Sequence, residues 1–128
     1  METPKRVAWI IDDDDEMRQA IKLMLELLDF KVEIYRDAPS ASRDLLSGLR
    51  PDVIILDIMM PGVTGIDMLE FMRQQKDFTH VPIVMLSSET TDVQVDEAME
   101  LGADAFVFKP VTLEELENVI QKAISLHS

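Results

Sequence analysis

Asp12, Asp13, Asp57, Ser87 and Lys109 are the side chains of this sequence whose types and spacing could form a reactive site. Each stands where a short apolar run stops: Asp12 and Asp13 after Val7–Ile11, Asp57 after residues 53–56, Ser87 after residues 83–86, and Lys109 after Ala105–Phe108. If those runs are parallel strands, all of these ends fall on one edge of a sheet, the edge where open α/β folds bind ligands. Carboxylates gathered there repel one another, by roughly 4 kcal/mol for unit charges about 4 Å apart at an effective dielectric of about 20. A divalent cation relieves that repulsion, and oxygen-only ligands favour magnesium or manganese over zinc. A cation beside Asp57, an ammonium opposite it and a hydroxyl nearby would together neutralise the equatorial oxygens of a phosphoryl group in an in-line transfer. An aspartate so placed can act as the nucleophile and form an acyl phosphate.

The elements that must position these residues follow from the pattern around them. Residues 53–56, Val-Ile-Ile-Leu, lack polar alternation, as in a parallel strand covered on both faces. Pro61, Gly62 and Gly65 then suit a tight loop. After Val7–Ile11, acids crowd the start of a helix marked by Met17, Ile21, Met24, Leu25 and Leu28. Lys31–Tyr35 reads as a second strand without a reactive end, as expected at the sheet's outer margin. Asp37 and Pro39 mark a helix start running towards Leu49, and Pro51 and Asp52 open the Asp57 strand. Ile66, Leu69, Glu70, Met72 and Arg73 predict a third helix, closed before Val81 and Pro82. Thr91 with Gln94 has the spacing of a capping box, opening a helix that ends at Leu101 and Gly102, where glycine suits a left-handed cap. Thr112 with Glu115 is a second such box, opening a last helix in which Leu113, Leu116, Val119, Ile120 and Ala123 keep period. Five strands alternating with five helices predict an α/β fold, a parallel sheet with right-handed crossovers.

At 128 residues the chain suits one domain, 1–128, and its 47% hydrophobic content can bury roughly two-thirds of the unfolded surface. The net charge of −13, from 25 acids against 12 bases, opposes binding to nucleic acid or anionic lipid. There is no cysteine, which excludes disulfide and zinc-thiolate chemistry. The start of the sequence is too weakly apolar for a signal peptide or a membrane span, so the expectation is a cytoplasmic protein.

Ile11 Asp12 Asp13, the segment from Asp57 to Gly65 with Pro61 Gly62, Ser87 after an apolar strand, and Gly102 through Lys109 Pro110 resemble the receiver domain of bacterial response regulators, from about Val7 onward. The resemblance implies a flavodoxin-like doubly wound fold with a five-stranded parallel sheet of order 2-1-3-4-5. It implies that Asp57 accepts the phosphoryl group, that Asp13, Asp57 and the Met59 carbonyl bind magnesium directly, and that Asp12 acts largely through metal-bound water. Ser87 and Lys109 would each hold a phosphoryl oxygen. Phe106 stands where the family's switch aromatic turns inward after the Ser87 hydroxyl moves towards the phosphate. As phenylalanine it offers no hydroxyl, so the switch would work by packing. Met59 and Glu89 occupy positions that tune hydrolysis in the family, and Lys109-Pro110 matches its cis peptide. The expected phosphodonor is a histidine kinase or a histidine phosphotransfer protein, and the expected output is a downstream protein target rather than nucleic acid or membrane. The helix from Asp92, the strand with Phe106 and the helix from Thr112 form the expected output face, and a phosphorylation-dependent dimer is compatible with it. Such a domain is no enzyme beyond its own phosphorylation and dephosphorylation.

Simpler readings exist for single residues. Asp57 alone could cap its loop, Ser88 competes with Ser87, and Asp14, Asp15 and Glu16 suit a solvated helix start; the matching strand ends and the spacing to Lys109 favour the site. His80 and His127 are assigned no role, and most of the nine methionines read as core filler. Ala20, Leu23 and Leu27 form a second apolar set on the first helix, either a wide buried face or an exposed patch that docks a phosphodonor. An aspartyl-nucleophile phosphatase would want a second acid where Met59 stands, and a flavin binder would be repelled by the acids after Ile11. A phosphorylation-independent interaction module of the same fold is the remaining alternative.

Overall fold

The computed structural model describes residues 4–88 and 92–127. Five strands, β1 (Val7–Ile11), β2 (Lys31–Tyr35), β3 (Val53–Asp57), β4 (Ile83–Ser87) and β5 (Ala105–Phe108), form one parallel sheet of order β2-β1-β3-β4-β5. Between and after them run α1 (Asp15–Leu27), α2 (Ala38–Leu46), α3 (Gly65–Gln74), α4 (Asp92–Glu100) and α5 (Leu113–Ser125). This is the α/β architecture and strand order expected.

Alternation along the strands divides the core in two. Ala8, Ile10, Val53, Ile55, Val84, Leu86, Ala105 and Val107 pack with residues of α1 and α5 such as Ile21, Leu25, Leu116 and Ile120. Trp9, Ile11, Ile54, Leu56, Ile83 and Met85 pack with Ala41, Leu45, Met68, Leu69 and Met72 of α2 and α3, and with Ala98 of α4. β3 is therefore buried along its whole length, as its unbroken apolar run requires, whereas β2 at the margin is largely exposed.

Local signals set the helix starts. Asp14 caps α1 by accepting from the amides of Glu16 and Met17, and Asp37 caps α2 through Ser40 N. The predicted box of Thr112 and Glu115 is present at α5. A further box, Thr64 with Asp67, opens α3. The predicted pairing of Thr91 with Gln94 involves a residue outside those described, as does the tuning position Glu89. Two departures concern α2, which ends at Leu46 and not near Leu49, and a single 3-10 turn, Lys76–Phe78, between α3 and β4. After Leu46 the chain turns at Gly48, whose φ of +108° breaks the helix.

Candidate functional site

Register brings the predicted residues together. Ile11 pairs with Leu56, so Asp12 leaves β1 beside Asp57, and Ser87 pairs with Phe108, so Lys109 leaves β5 next to the end of β4. Lys109 Nζ lies 3.1 Å from Asp12 Oδ2 and 3.5 Å from Asp57 Oδ1. One carboxylate oxygen from each of Asp12, Asp13 and Asp57 lies within 4.8 Å of the others. Asp12, Asp57 and Ser87 are buried, while Asp13 faces solvent. Asp14, the helix cap, also gives its amide to Asp12 Oδ1 at 2.9 Å, which separates the acids of this run into a structural and a reactive set.

Burial dominates the electrostatics of Asp57. It raises the carboxyl to about 7, the neighbouring Asp12 charge pushes the same way, and the Lys109 ammonium opposes both. Burial alone would lower the Lys109 pKa, but the charges of Asp57 and Asp12 outweigh it and hold the ammonium above its ordinary value. Asp12 Oδ2, although close to Lys109 Nζ, accepts no well-directed hydrogen bond. A buried carboxylate oxygen short of a partner, two acids beside it and one open, solvent-facing side fit a hard divalent cation with water completing its shell. Asp12, Asp13 and Asp57 are the residues that would hold it.

The loop after β3 is held against the site. Gly65 N donates to Ile58 O at 3.0 Å, and a Cβ at Gly65 would stand 2.0 Å from the Asp57 carbonyl oxygen. Glycine is thus required where α3 begins, a constraint that the sequence pattern registered only as a turn. Met59 is 52% exposed and its sulfur accepts from Gln94 Nε2 at 3.2 Å. The Phe106 ring points outward at 36% exposure, edge-on to Phe108 with centroids 5.3 Å apart. Lys109-Pro110 is cis, as the resemblance implied.

Other residues go beyond the sequence reading. Arg18 donates from Nη1 to the Asp12 carbonyl at 2.8 Å and pairs with Asp15, bracing the first acidic loop. His127, to which no role was assigned, has a structural one: its Nε2 lies 2.8 Å from Asp104 Oδ1. Asp104 Oδ2 accepts from Ile83 N at 2.8 Å and Arg73 Nη2 at 3.0 Å, so one buried carboxylate ties α3, β4 and the end of α5. On α1, Ala20, Leu23 and Leu27 are exposed, the leucines by 60% and 66%, so the second apolar set is a surface patch and not a wide buried face.

Residues 8–121 match the family described as response regulator receiver domain. The chain is 34% identical over 113 residues to the chemotaxis protein CheY of Pseudomonas aeruginosa, covering 88% of this chain and 91% of that one. It is 34% identical over 116 residues to the DNA-binding response regulator MtrA of Mycolicibacterium smegmatis, covering 91% of this chain but 49% of that protein, so it spans about half the length of that relative. Among solved structures, the chemotaxis protein CheY4 of Vibrio cholerae superposes with a TM-score of 0.85 at 29% identity, over 94% of this chain and 99% of that one. Among the described residues no helix is long and apolar enough to cross a membrane.

Proposed function

The chain belongs to the response regulator receiver family of two-component systems, and from that premise we propose that Asp57 accepts a phosphoryl group and that the resulting change is read on α4, β5 and α5. The observation that carries this reading is the buried Asp57 carboxylate, with Lys109 Nζ at 3.5 Å and Asp12 and Asp13 gathered beside it. Asp57 attacks phosphorus in its ionised form, and the bond to the donor's imidazole nitrogen breaks as the acyl phosphate forms. Lys109 neutralises one phosphoryl oxygen, and the Ser87 hydroxyl donates to another. Asp13, Asp57 and the Met59 carbonyl, with Asp12 acting largely through water, would hold a magnesium or manganese ion, which would supply further positive charge for the transfer.

Movement of the Ser87 side chain towards the phosphoryl group would free space that the outward Phe106 ring can enter, removing apolar surface from water. That transition by packing would alter the α4-β5-α5 face for a downstream protein target, and for a dimer formed on phosphorylation. The phosphodonor is a histidine kinase or a histidine phosphotransfer protein, with the exposed α1 leucines as its docking contact. In this reading the domain, 1–128, acts in the cytoplasm and catalyses only its own phosphorylation and dephosphorylation.

The test is intact mass after incubation with a small-molecule phosphodonor and magnesium, for the native chain and Asp57→Asn, with and without chelator. One added phosphoryl group that needs both Asp57 and the cation is the expected result. A folded, cation-binding protein that takes none, and that also fails to bind a stable beryllium fluoride mimic, would instead be a phosphorylation-independent interaction module.

A further inference from the structure

The loop after Asp57 and helix α4 are bridged by a contact that phosphoryl chemistry does not require. Gln94 Nε2 donates to Met59 Sδ at 3.2 Å, while Gln94 Oε1 is buried and, among the described residues, accepts no hydrogen bond. A thioether is a weak acceptor, so this amide is poorly served at both ends. Met59 is also the most accessible of the described methionines, at 52%. Met99 is 36% exposed, Met17 and Met24 are half-buried, and Met60, Met68, Met72 and Met85 lie in the core. A flexible, solvent-facing thioether with a hydrogen-bond donor already resting on its sulfur has the two properties that an oxidation sensor needs: access for the oxidant, and a neighbour that distinguishes the product.

We propose that Met59 is a site of reversible oxidation by peroxide, and that its sulfoxide is held by Gln94, fastening the loop after Asp57 to α4. In the step, a sulfur lone pair attacks one peroxide oxygen, the O–O bond breaks and an S–O bond forms. Sulfur is oxidised, hydrogen peroxide is reduced to water, and the protein gains one oxygen without a change in charge. Thiol-dependent sulfoxide reduction returns the thioether. The sulfoxide oxygen is a strong acceptor within reach of the amide that now meets only sulfur. One such bond gained shifts the balance between joined and parted arrangements by about fivefold. The bridge is present with the Phe106 ring outward, and in this proposal oxidation holds that arrangement and slows phosphoryl acceptance at Asp57. This last consequence rests on the proposed function.

The experiment treats the whole chain with limiting hydrogen peroxide, maps each methionine by peptide mass over time, and follows the Gln94 side-chain amide by NMR. The expected result is sulfoxide accumulating first at Met59, with the Gln94 Nε2 proton resonances moving downfield as it forms. Phosphoryl acceptance from a small-molecule donor then slows about fivefold in the native chain, and is insensitive to oxidation in Gln94→Leu. Another described methionine oxidising as fast as Met59, Gln94 resonances unmoved by oxidation, or equal acceptance rates before and after would overturn the proposal. Unoxidised protein that takes no phosphoryl group, while the mapping and the amide shift come out as expected, would sink the reading of Asp57 and leave the Met59 and Gln94 site standing.

Discussion

Gly65 lies so close to Asp57 that a Cβ at position 65 would stand 2.0 Å from the Asp57 carbonyl oxygen and 2.8 Å from its carbon. Both contacts are backbone, so no side chain can swing aside to make room. Gly65→Ala must push the start of α3 away from the end of β3, and the expected cost is about 1–3 kcal/mol of stability. Because the displaced atoms include the backbone of Asp57, the proposed phosphoacceptor, acceptance from a small-molecule donor should fall as well. Urea denaturation with a parallel phosphorylation assay checks both, and a variant as stable and as active as the parent would show that this approach is not constraining.

Asp57 should make the cation-free protein less stable as pH rises through neutrality. Its folded pKa of about 7 lies above the ordinary 3.8, so its stabilising contribution is complete below the unfolded pKa and is lost as pH rises through 7. Relative to Asp57→Asn, the native chain should lose about 2 kcal/mol between pH 5.5 and 8. Denaturation of both proteins across that range in chelator measures the difference, and saturating magnesium should remove most of it. Parallel pH profiles for the two proteins would mean that Asp57 ionises normally.

What could be read in advance follows physical range. The strands were legible because each is a short apolar run, and Val7–Ile11 and Lys31–Tyr35 have the bounds expected. The convergence of Asp12, Asp57 and Lys109 was legible because parallel strands place their ends on one edge. The hub at Asp104 was not, since its partners Arg73 and His127 are 31 and 23 residues away and nothing in local pattern links them. Gln94 showed only capping spacing, whereas its amide reaches Met59 across 35 residues. The Gly65 constraint likewise arises from two backbones meeting in space, and the 3-10 turn at Lys76–Phe78 is too short to carry a period.

The Asp104 hub should matter for stability without touching the reactive edge. Its carboxylate offsets the half-buried Arg73 guanidinium and accepts from Ile83 N, the first residue of β4. Asp104→Ala removes both, leaving Arg73 with only carbonyl partners such as Gly102 O and Val81 O. The expected loss is about 3 kcal/mol, with Asp104→Asn losing less because it keeps an acceptor for Ile83 N. Equal stability of the alanine variant and the parent in urea would show that the carbonyls suffice.

Lys109 should oppose cation binding while aiding phosphoryl acceptance. Its ammonium shares the space of Asp12 and Asp57, at 3.1 and 3.5 Å, and lowers the Asp57 pKa. Lys109→Gln removes that charge, so magnesium should bind several-fold more tightly, by the order of a nearby unit charge on a partly buried carboxylate. Acceptance from a small donor should slow by about tenfold or more as a phosphoryl oxygen loses its partner. Titration calorimetry and intact mass read the two effects separately, and a variant changed in the same direction in both would contradict these opposed roles.

Leu23 and Leu27 expose 60% and 66% of their surface on α1, one turn apart beside exposed Ala20, an apolar stripe on the helix that follows the acidic end of β1. Helix residues spaced in this way form a continuous strip on one face. A phosphodonor that must bring its phosphohistidine to Asp57 would cover this strip, and apolar anchors at such an interface carry much of the binding energy. Leu23→Glu places a charge in that contact while leaving the core and the carboxylates untouched. Phosphorylation by the kinase or phosphotransfer partner should then slow by about tenfold, with stability and acceptance from a small-molecule donor unchanged. The paired assays separate docking from chemistry: loss of both would indicate damage to the site, and retention of both would remove α1 as the docking face.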